Sequence, residues 1–395
     1  MQRLFLIGCG LLLIVPLFCS AGPVGLMSLT SDGSNGSFDT YLATHSYDGT
    51  NFFLNTDSGS VIAGHYNSSY GSIFGYQLDS IVPTTVVTTN GTVSVFNFSS
   101  FNLPSNYSLT LYGHSAAAIL ANGSISIAGD LEVWSNAGSA GNGGPSGAGT
   151  QTGATGGGGA GGGGAGGFGQ GYRGYNDEGT AGSGGGGGMV TAGGDGTSGN
   201  SGGGGGGGTA VDLSILQGGG GGGGGGGCGL FCYDGGRNGG QGGGAVFFGA
   251  TNDFTIATTG IIAADGWGGQ SNAYTASGAG GGGAGGDLWF SAAGTWANYG
   301  LVSARGAAGG YISGTYPSLA GSGAGGYVYV DPTSIINDGS INVRNGLGGT
   351  GGLVRFDGPV SGTGTIQGEI SPEPGTVVLM LGGMAGLLLA RSRRP

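Results

Sequence analysis

Apolar and polar residues alternate in short bursts along most of this chain. Val93-Ser94-Val95-Phe96-Asn97-Phe98 and Ser108-Leu109-Thr110-Leu111 are the clearest cases, followed by Ala116 to Leu120, Gly123 to Gly129 and Asp130-Leu131-Glu132-Val133-Trp134. Alternation over four to six residues, broken by Gly or Asn, is a strand pattern without helical periodicity. Upstream, Asn51-Phe52-Phe53-Leu54, Ser60-Val61-Ile62-Ala63 and Thr84-Thr85-Val86-Val87 have the same spacing between turn residues. Downstream of Gly244 the pattern becomes a repeat. Gly-Gly precedes Ala245-Val246-Phe247-Phe248, Asp287-Leu288-Trp289-Phe290, Tyr327-Val328-Tyr329-Val330 and Leu353-Val354-Arg355-Phe356, whose starts lie 42, 40 and 26 residues apart. A second strand follows in each unit: Ile261 to Ala264, Leu301 to Ala304, Ile341 to Val343, and Thr365-Ile366.

A fixed strand pair joined by loops of variable length is how a solenoid behaves. The expected fold is all-β: one right-handed parallel β-helix over about residues 93–370, with long Gly-rich insertions projecting sideways. Residues 93–140 would form its first rungs and 245–370 its repeated rungs. Residues 22–92 are expected to cap the first coil as a small β-rich unit, with a separate β-sandwich as the competing arrangement. The repeat region loosely resembles Gly-rich bacterial surface proteins and autotransporter passengers, in pattern only.

Between the two rung regions lies 141–244, where glycine fills 55 of 104 positions. Polyglycine buries no side chains and is costly to order, so the plainer expectation is a flexible low-complexity insertion. The sharper one is extended polyglycine-II-like strands packed side by side. Ala210-Val211-Asp212-Leu213-Ser214-Ile215-Leu216 interrupts the tract and reads as a strand that returns to the core.

The chain has no lysine and a formal net charge of −11. An acidic surface of this kind repels nucleic acid and anionic lipid. Arg3, the apolar stretch Leu4 to Phe18 and Cys19-Ser20-Ala21 read as a secretory signal peptide, 1–21. Of the four cysteines, Cys228 and Cys232 fall outside it, and in an oxidising compartment they are expected to form one disulfide.

At the C-terminus, 371–395, Ser371-Pro372-Glu373-Pro374-Gly375 is followed by an apolar run, Thr376 to Ala390, and by Arg391, Arg393 and Arg394. As a helix, about 15 residues cover roughly 22 Å, short of a bilayer core of about 30 Å. The arginines act as membrane-stop residues on the cytoplasmic side. This stretch resembles the PEP-CTERM domain of Gram-negative bacteria, matching from Pro372 to Arg394. The resemblance implies export, recognition by an exosortase at Pro372, Glu373 and Pro374, and removal of the tail. It also implies a surface or matrix setting among cells that make exopolysaccharide or biofilm. With the signal peptide, it names the expected partners: the Sec export machinery, an exosortase, the membrane through the short C-terminal helix before processing, and exopolysaccharide.

No catalytic constellation emerges. GxGxxG strings arise by chance in polyglycine, none joins a strand to a helix, and a P-loop needs a lysine. His45, His65 and His114 are dispersed and lie beside no nucleophile elbow. No cofactor is expected; calcium at Asp177, Glu178 or Asp195 is the one candidate, and those residues read more simply as solvated loop carboxylates. Asp265, Arg305, Asp331, Asp338, Arg344 and Asp357 fall near strand ends and read as solvated corner residues. A β-helix enzyme acting on polysaccharide would need a pair of such carboxylates, or Arg305 or Arg344 as a base beside them. Trp267, Trp289, Trp296 and Tyr299 have the chemistry to stack on sugars, with Trp289 and Trp296 read first as core. The first expectation is therefore a secreted, non-enzymatic surface or matrix protein, ahead of a carbohydrate-binding or adhesive module and of a polysaccharide-degrading enzyme.

Overall fold

The computed structural model describes residues 29–45, 50–67, 72–88, 91–134, 136–138, 154–158, 182–198, 207–226, 236–271, 277–312, 318–347 and 351–371. It is β-rich with parallel-strand sheets. The elements run as follows. First come α1 (Phe38–Thr44), β1 (Asn51–Asn55), β2 (Val61–Asn67), β3 (Ser72–Gln77) and β4 (Thr84–Thr88). A first tier follows, β5 (Gly91–Phe98), β6 (Phe101–Leu103) and β7 (Ser108–Tyr112), then a second, β8 (Ala116–Ala121), β9 (Ile125–Ile127) and β10 (Asp130–Val133). The third is β11 (Ala245–Ala250), β12 (Phe254–Ile256) and β13 (Ile261–Ala263). The fourth is β14 (Asp287–Asn298) and β15 (Leu301–Ser303), followed by a small hairpin, β16 (Tyr311–Ile312) and β17 (Ser318–Leu319). The fifth is β18 (Tyr327–Asn337) and β19 (Ser340–Asn342), and the sixth is β20 (Leu353–Phe356), β21 (Val360–Ser361) and β22 (Thr365–Gln367). β23 (Glu369–Ser371) starts a further tier.

Among the described residues these strands make two large sheets. One has nine strands, β22-β19-β15-β13-β10-β7-β1-β2-β3; the other has twelve, with β23-β20-β18-β14-β11-β8-β5-β4 as its main path. From tier to tier every pairing among the described strands is parallel, and in register except for one shift between Ala292 and Thr295 where β14 meets β18. Phe96, Ile119, Phe248, Phe290, Val330 and Phe356 form one inward ladder. Leu109, Leu131, Ile262, Val302, Ile341 and Ile366 form another in the opposite sheet. All the members of these two ladders belong to a single core except Ile366, which packs partly buried against it. Two inward side chains per strand are enough to build it, because each stacks on its own counterpart in the next tier.

The tiers have a third strand, which the sequence pattern shows only at β9, within the alternating run Gly123 to Gly129. β6, β9 and β12 pair in parallel, and the second halves of β14 and β18 continue their column. Phe101, Ile125, Phe254 and Trp296 line it from inside. At the first tier, β1 pairs in parallel with β7 while β4 pairs antiparallel with β5, so residues 51–88 continue both sheets. α1 was not expected. Ser37 caps it through the Thr40 N–H, and its buried Phe38 stacks on Phe101 with centroids 4.4 Å apart. About two turns of helix carry no periodic signal, and tertiary packing makes the helix.

The glycine tract, wherever it is described, is an ordered lattice. Residues 219–226 donate backbone hydrogen bonds with a period of three. Gly219, Gly222 and Gly225 reach Gly243, Gly240 and Arg237; Gly220, Gly223 and Gly226 reach Gly188, Gly185 and Gly182; Gly221 and Gly224 reach Gly158 and Thr155. Three residues per turn without internal hydrogen bonds is the polyproline-II geometry. A strand of that kind satisfies its backbone only through three surrounding neighbours. The segment 278–286 repeats the arrangement, bonding the 219–226 strand, residues 264–270 and residues 321–324. The packing demands glycine: a β-carbon at Gly222 would lie 2.1 Å from the Gly281 carbonyl oxygen. Backbone pairing replaces the side-chain burial whose lack pointed to flexibility. Residues 264–270, 278–286, 304–310 and 320–326 lead out from one tier and back into the next, so lattice and sheets share the same chain. Residues 210–216 are not a strand. They turn across the outer side of the twelve-stranded sheet, where Leu213 and Leu216 join Phe247, Trp289, Tyr327 and Tyr329.

Candidate binding face

The outward side of the nine-stranded sheet carries three of the expected corner residues, Asp265, Arg305 and Arg344. Strand alternation sends Phe53, Thr110, Glu132, Ala263, Ser303 and Asn342 to that side in one register line. Two residues further along lie Trp134, Asp265, Arg305 and Arg344. Asp265 and Arg305, from adjacent tiers, are joined: the Arg305 Nε and Nη2 donate to Asp265 Oδ2 at 3.0 and 2.7 Å. The Arg305 backbone N–H and the Ser303 hydroxyl donate to Asp265 Oδ1 at 2.7 and 2.6 Å. This carboxylate therefore fixes the corner between tiers. Arg344 is exposed, and its backbone N–H donates to Asn342 Oδ1 at 3.3 Å.

Beside this corner lies an aromatic group drawn from three distant segments. Trp134 and Trp267 meet edge to face at 5.3 Å, and Tyr66 packs edge-on against both, at 5.1 and 5.8 Å. All three are half-buried. Glu132 is exposed, but partial desolvation by the packed rings raises its carboxyl above the ordinary value and the neighbouring Asp130 and Asp265 add to the rise, against a hydrogen bond from the Trp134 side chain. Aromatic surface beside carboxylates is what a sugar-binding surface uses: rings for C–H faces, oxygens for hydroxyl groups. Among the residues with stacking chemistry, Trp267 belongs to this group, while Trp289 and Trp296 are fully buried and Tyr299 is 40% exposed by itself. Trp134 and Tyr66 carry no local signal; only the fold brings them to Trp267.

The twelve-stranded sheet ends its outer ladder, Phe247, Trp289, Tyr329, Arg355, in a second polar cluster. Arg355 donates twice to Asp357, at 2.8 and 2.9 Å, and the Tyr329 hydroxyl donates to Asp357 at 2.6 Å. Burial and that acidic neighbour push the Tyr329 hydroxyl far above the ordinary tyrosine value. Asp331 is also raised, by burial first and Asp357 second. The arrangement closes the aromatic stack.

The histidines have separate local partners. His45 Nδ1 contacts the Tyr41 carbonyl at 2.9 Å, His65 stacks on Phe74, and His114 sits on Asp57 at 3.0 Å. A cleft of about 500 Å³ opens beside α1, and its Tyr41 hydroxyl donates to the Asp79 carbonyl in its wall. Asp195 accepts from the Gly207 N–H at 2.6 Å within the lattice, and Asp338 accepts from the Thr363 N–H. Among the described residues no three His, Cys, Asp or Glu side chains gather as a metal site. Asp177, Glu178, Cys228, Cys232, Pro372, Glu373, Pro374, Arg391, Arg393 and Arg394 lie outside the described residues, as do residues 376–390, where a short apolar helix is expected. No described helix is long and apolar enough to cross a membrane. No protein family, curated protein or solved structure matches the chain.

Proposed function

We propose that this chain is an exported, non-enzymatic cell-surface or matrix protein of a Gram-negative bacterium, sorted by an exosortase acting at Pro372, Glu373 and Pro374. Its working body is a right-handed parallel β-helix, closed by the three strand columns and stiffened by the polyglycine lattice. The observation that carries this reading is the period-three bonding of residues 219–226 to three neighbouring segments. A lattice that excludes side chains offers little reactive chemistry and much stiffness, as suits a protein that builds or spaces an exopolysaccharide layer. The saturated Asp265–Arg305 corner supports a structural role for those two residues over a catalytic one. The test is to produce the full chain in a host with an exosortase and in the same host lacking it. Tail loss and surface release only in the first support the proposal; identical membrane retention in both, with the tail uncut, refutes the sorting step.

A second reading, a carbohydrate-binding or adhesive module, is favoured by the Tyr66–Trp134–Trp267 group beside Glu132. A glycan array probed with the mature chain and with Trp267→Ala separates the two: binding lost in the variant favours the module, and no binding by either favours the scaffold.

A further inference from the structure

Where the lattice meets the twelve-stranded sheet, one carboxyl stands apart. Asp287 is the first residue of β14 and the last link from the 278–286 lattice segment. Its side chain lies on the outer side of the sheet with Ala245 and Tyr327 as register neighbours, and it is fully buried. Its Oδ2 accepts from the Gln217 backbone N–H at 3.1 Å; its Oδ1 has no partner among the described residues. Gln217 immediately precedes the strand whose first bond is Gly219 to Gly243, and the Asp287 N–H bonds Gly244 at 3.0 Å. Three chain segments thus pass from lattice to sheet around this one side chain. Above it, Leu213 and Leu216 close the outer core.

We propose that Asp287 is a pH-operated latch: uncharged, it holds residues 211–217 and the lattice entry on the sheet, and ionised, it releases them. The physical reason is that one backbone N–H is a poor substitute for water around a buried carboxylate. The groups facing it do not offset the charge. Tyr327 is its neighbour on β18, and Arg355 beyond Tyr327 is engaged by Asp357. Trp289 lies two residues along its own strand, β11 contributes only Ala245, and the one acid of the covering segment, Asp212, is exposed and bonded to the Ser214 N–H. Burial accordingly raises this carboxyl well above its ordinary value, against the Gln217 bond. The folded state binds the proton more tightly than the unfolded chain, so stability and cover are complete at acid pH and decline as pH rises towards the folded value.

The test is hydrogen exchange of the amides of residues 211–222 in the full chain from acid to alkaline pH, corrected for intrinsic rates, in wild type and Asp287→Asn. The proposal expects protection in the wild type to fall by about tenfold or more across the range while the variant stays flat. Equal pH dependence in both proteins, or none in the wild type, overturns it. If the variant does not fold, the ¹³C-carboxyl signal of Asp287 in the wild type decides: a midpoint raised well above the ordinary carboxylate range supports the latch, and titration within that range overturns it.

Discussion

The Asn298 side-chain amide donates to the Oδ1 of Asn337 at 2.9 Å, inside the core and one tier away. Their register column begins with Leu103, Ile127 and Ile256, so amides continue a line of aliphatic side chains. The Asn298 Oδ1 also accepts from the Gly300 N–H at 3.1 Å, which fixes the corner leading into β15. Asn337→Leu would remove the shorter of the two bonds that the Asn298 amide donates, leaving only the Ser340 carbonyl at 3.4 Å, and should destabilise the protein by about 1–3 kcal/mol. The double change to Leu at both positions should be milder than the sum of the single changes. Denaturant unfolding of the three variants checks this.

The lattice predicts a contrast between two glycines. Gly222 has the Gly281 carbonyl oxygen 2.1 Å from where a β-carbon would sit, whereas at Gly268 the nearest atom would be 3.7 Å away. Gly222→Ala should destabilise by about 1–3 kcal/mol through overpacking, and Gly268→Ala should be nearly neutral. Thermal unfolding of both variants is the measurement; equal effects would contradict the packing.

Asp57 predicts an acid-side change. Desolvation acts to raise its carboxyl, but hydrogen bonds from the His114 and Ser115 backbone and the His114 ring hold it down at about 2. The folded value lies below the unfolded one, so the contribution is present above the unfolded value and lost as pH falls towards about 2. Asp57→Asn should flatten the stability profile over that interval while leaving its alkaline side unchanged.

The ion pair at Arg305 predicts little. Its side chain is 54% exposed. Arg305→Ala should shift stability by less than about 1 kcal/mol, and wild type and variant should both leave acidic polysaccharide intact. Turnover by the wild type that disappears in the variant would overturn the non-enzymatic reading.

How far the sequence leads differs by region. β11, β14, β18 and β20 are legible because four alternating runs follow Gly-Gly, and the register confirms their equivalence. β9 is legible inside the alternating run Gly123 to Gly129, but β6 and β12 are not: two inward residues in three make too short a pattern to separate from a turn. Residues 210–216 read as a strand because they are apolar, but Leu213 and Leu216 cover a sheet instead of joining one. The lattice has no side-chain signature at all, since its specificity lies in carbonyl positions that only neighbouring segments define. Trp134 and Trp267 meet across a long span of sequence, and neither position hints at the other.

The most direct test of the rigid scaffold is amide exchange within the polyglycine strand itself. Residues 219–226 should exchange slowly, with protection approaching that of β11 and β14, because each N–H in the strand is bonded to another segment. Exchange at the rate of an unstructured glycine chain would show that no lattice forms and would remove the basis for the scaffold.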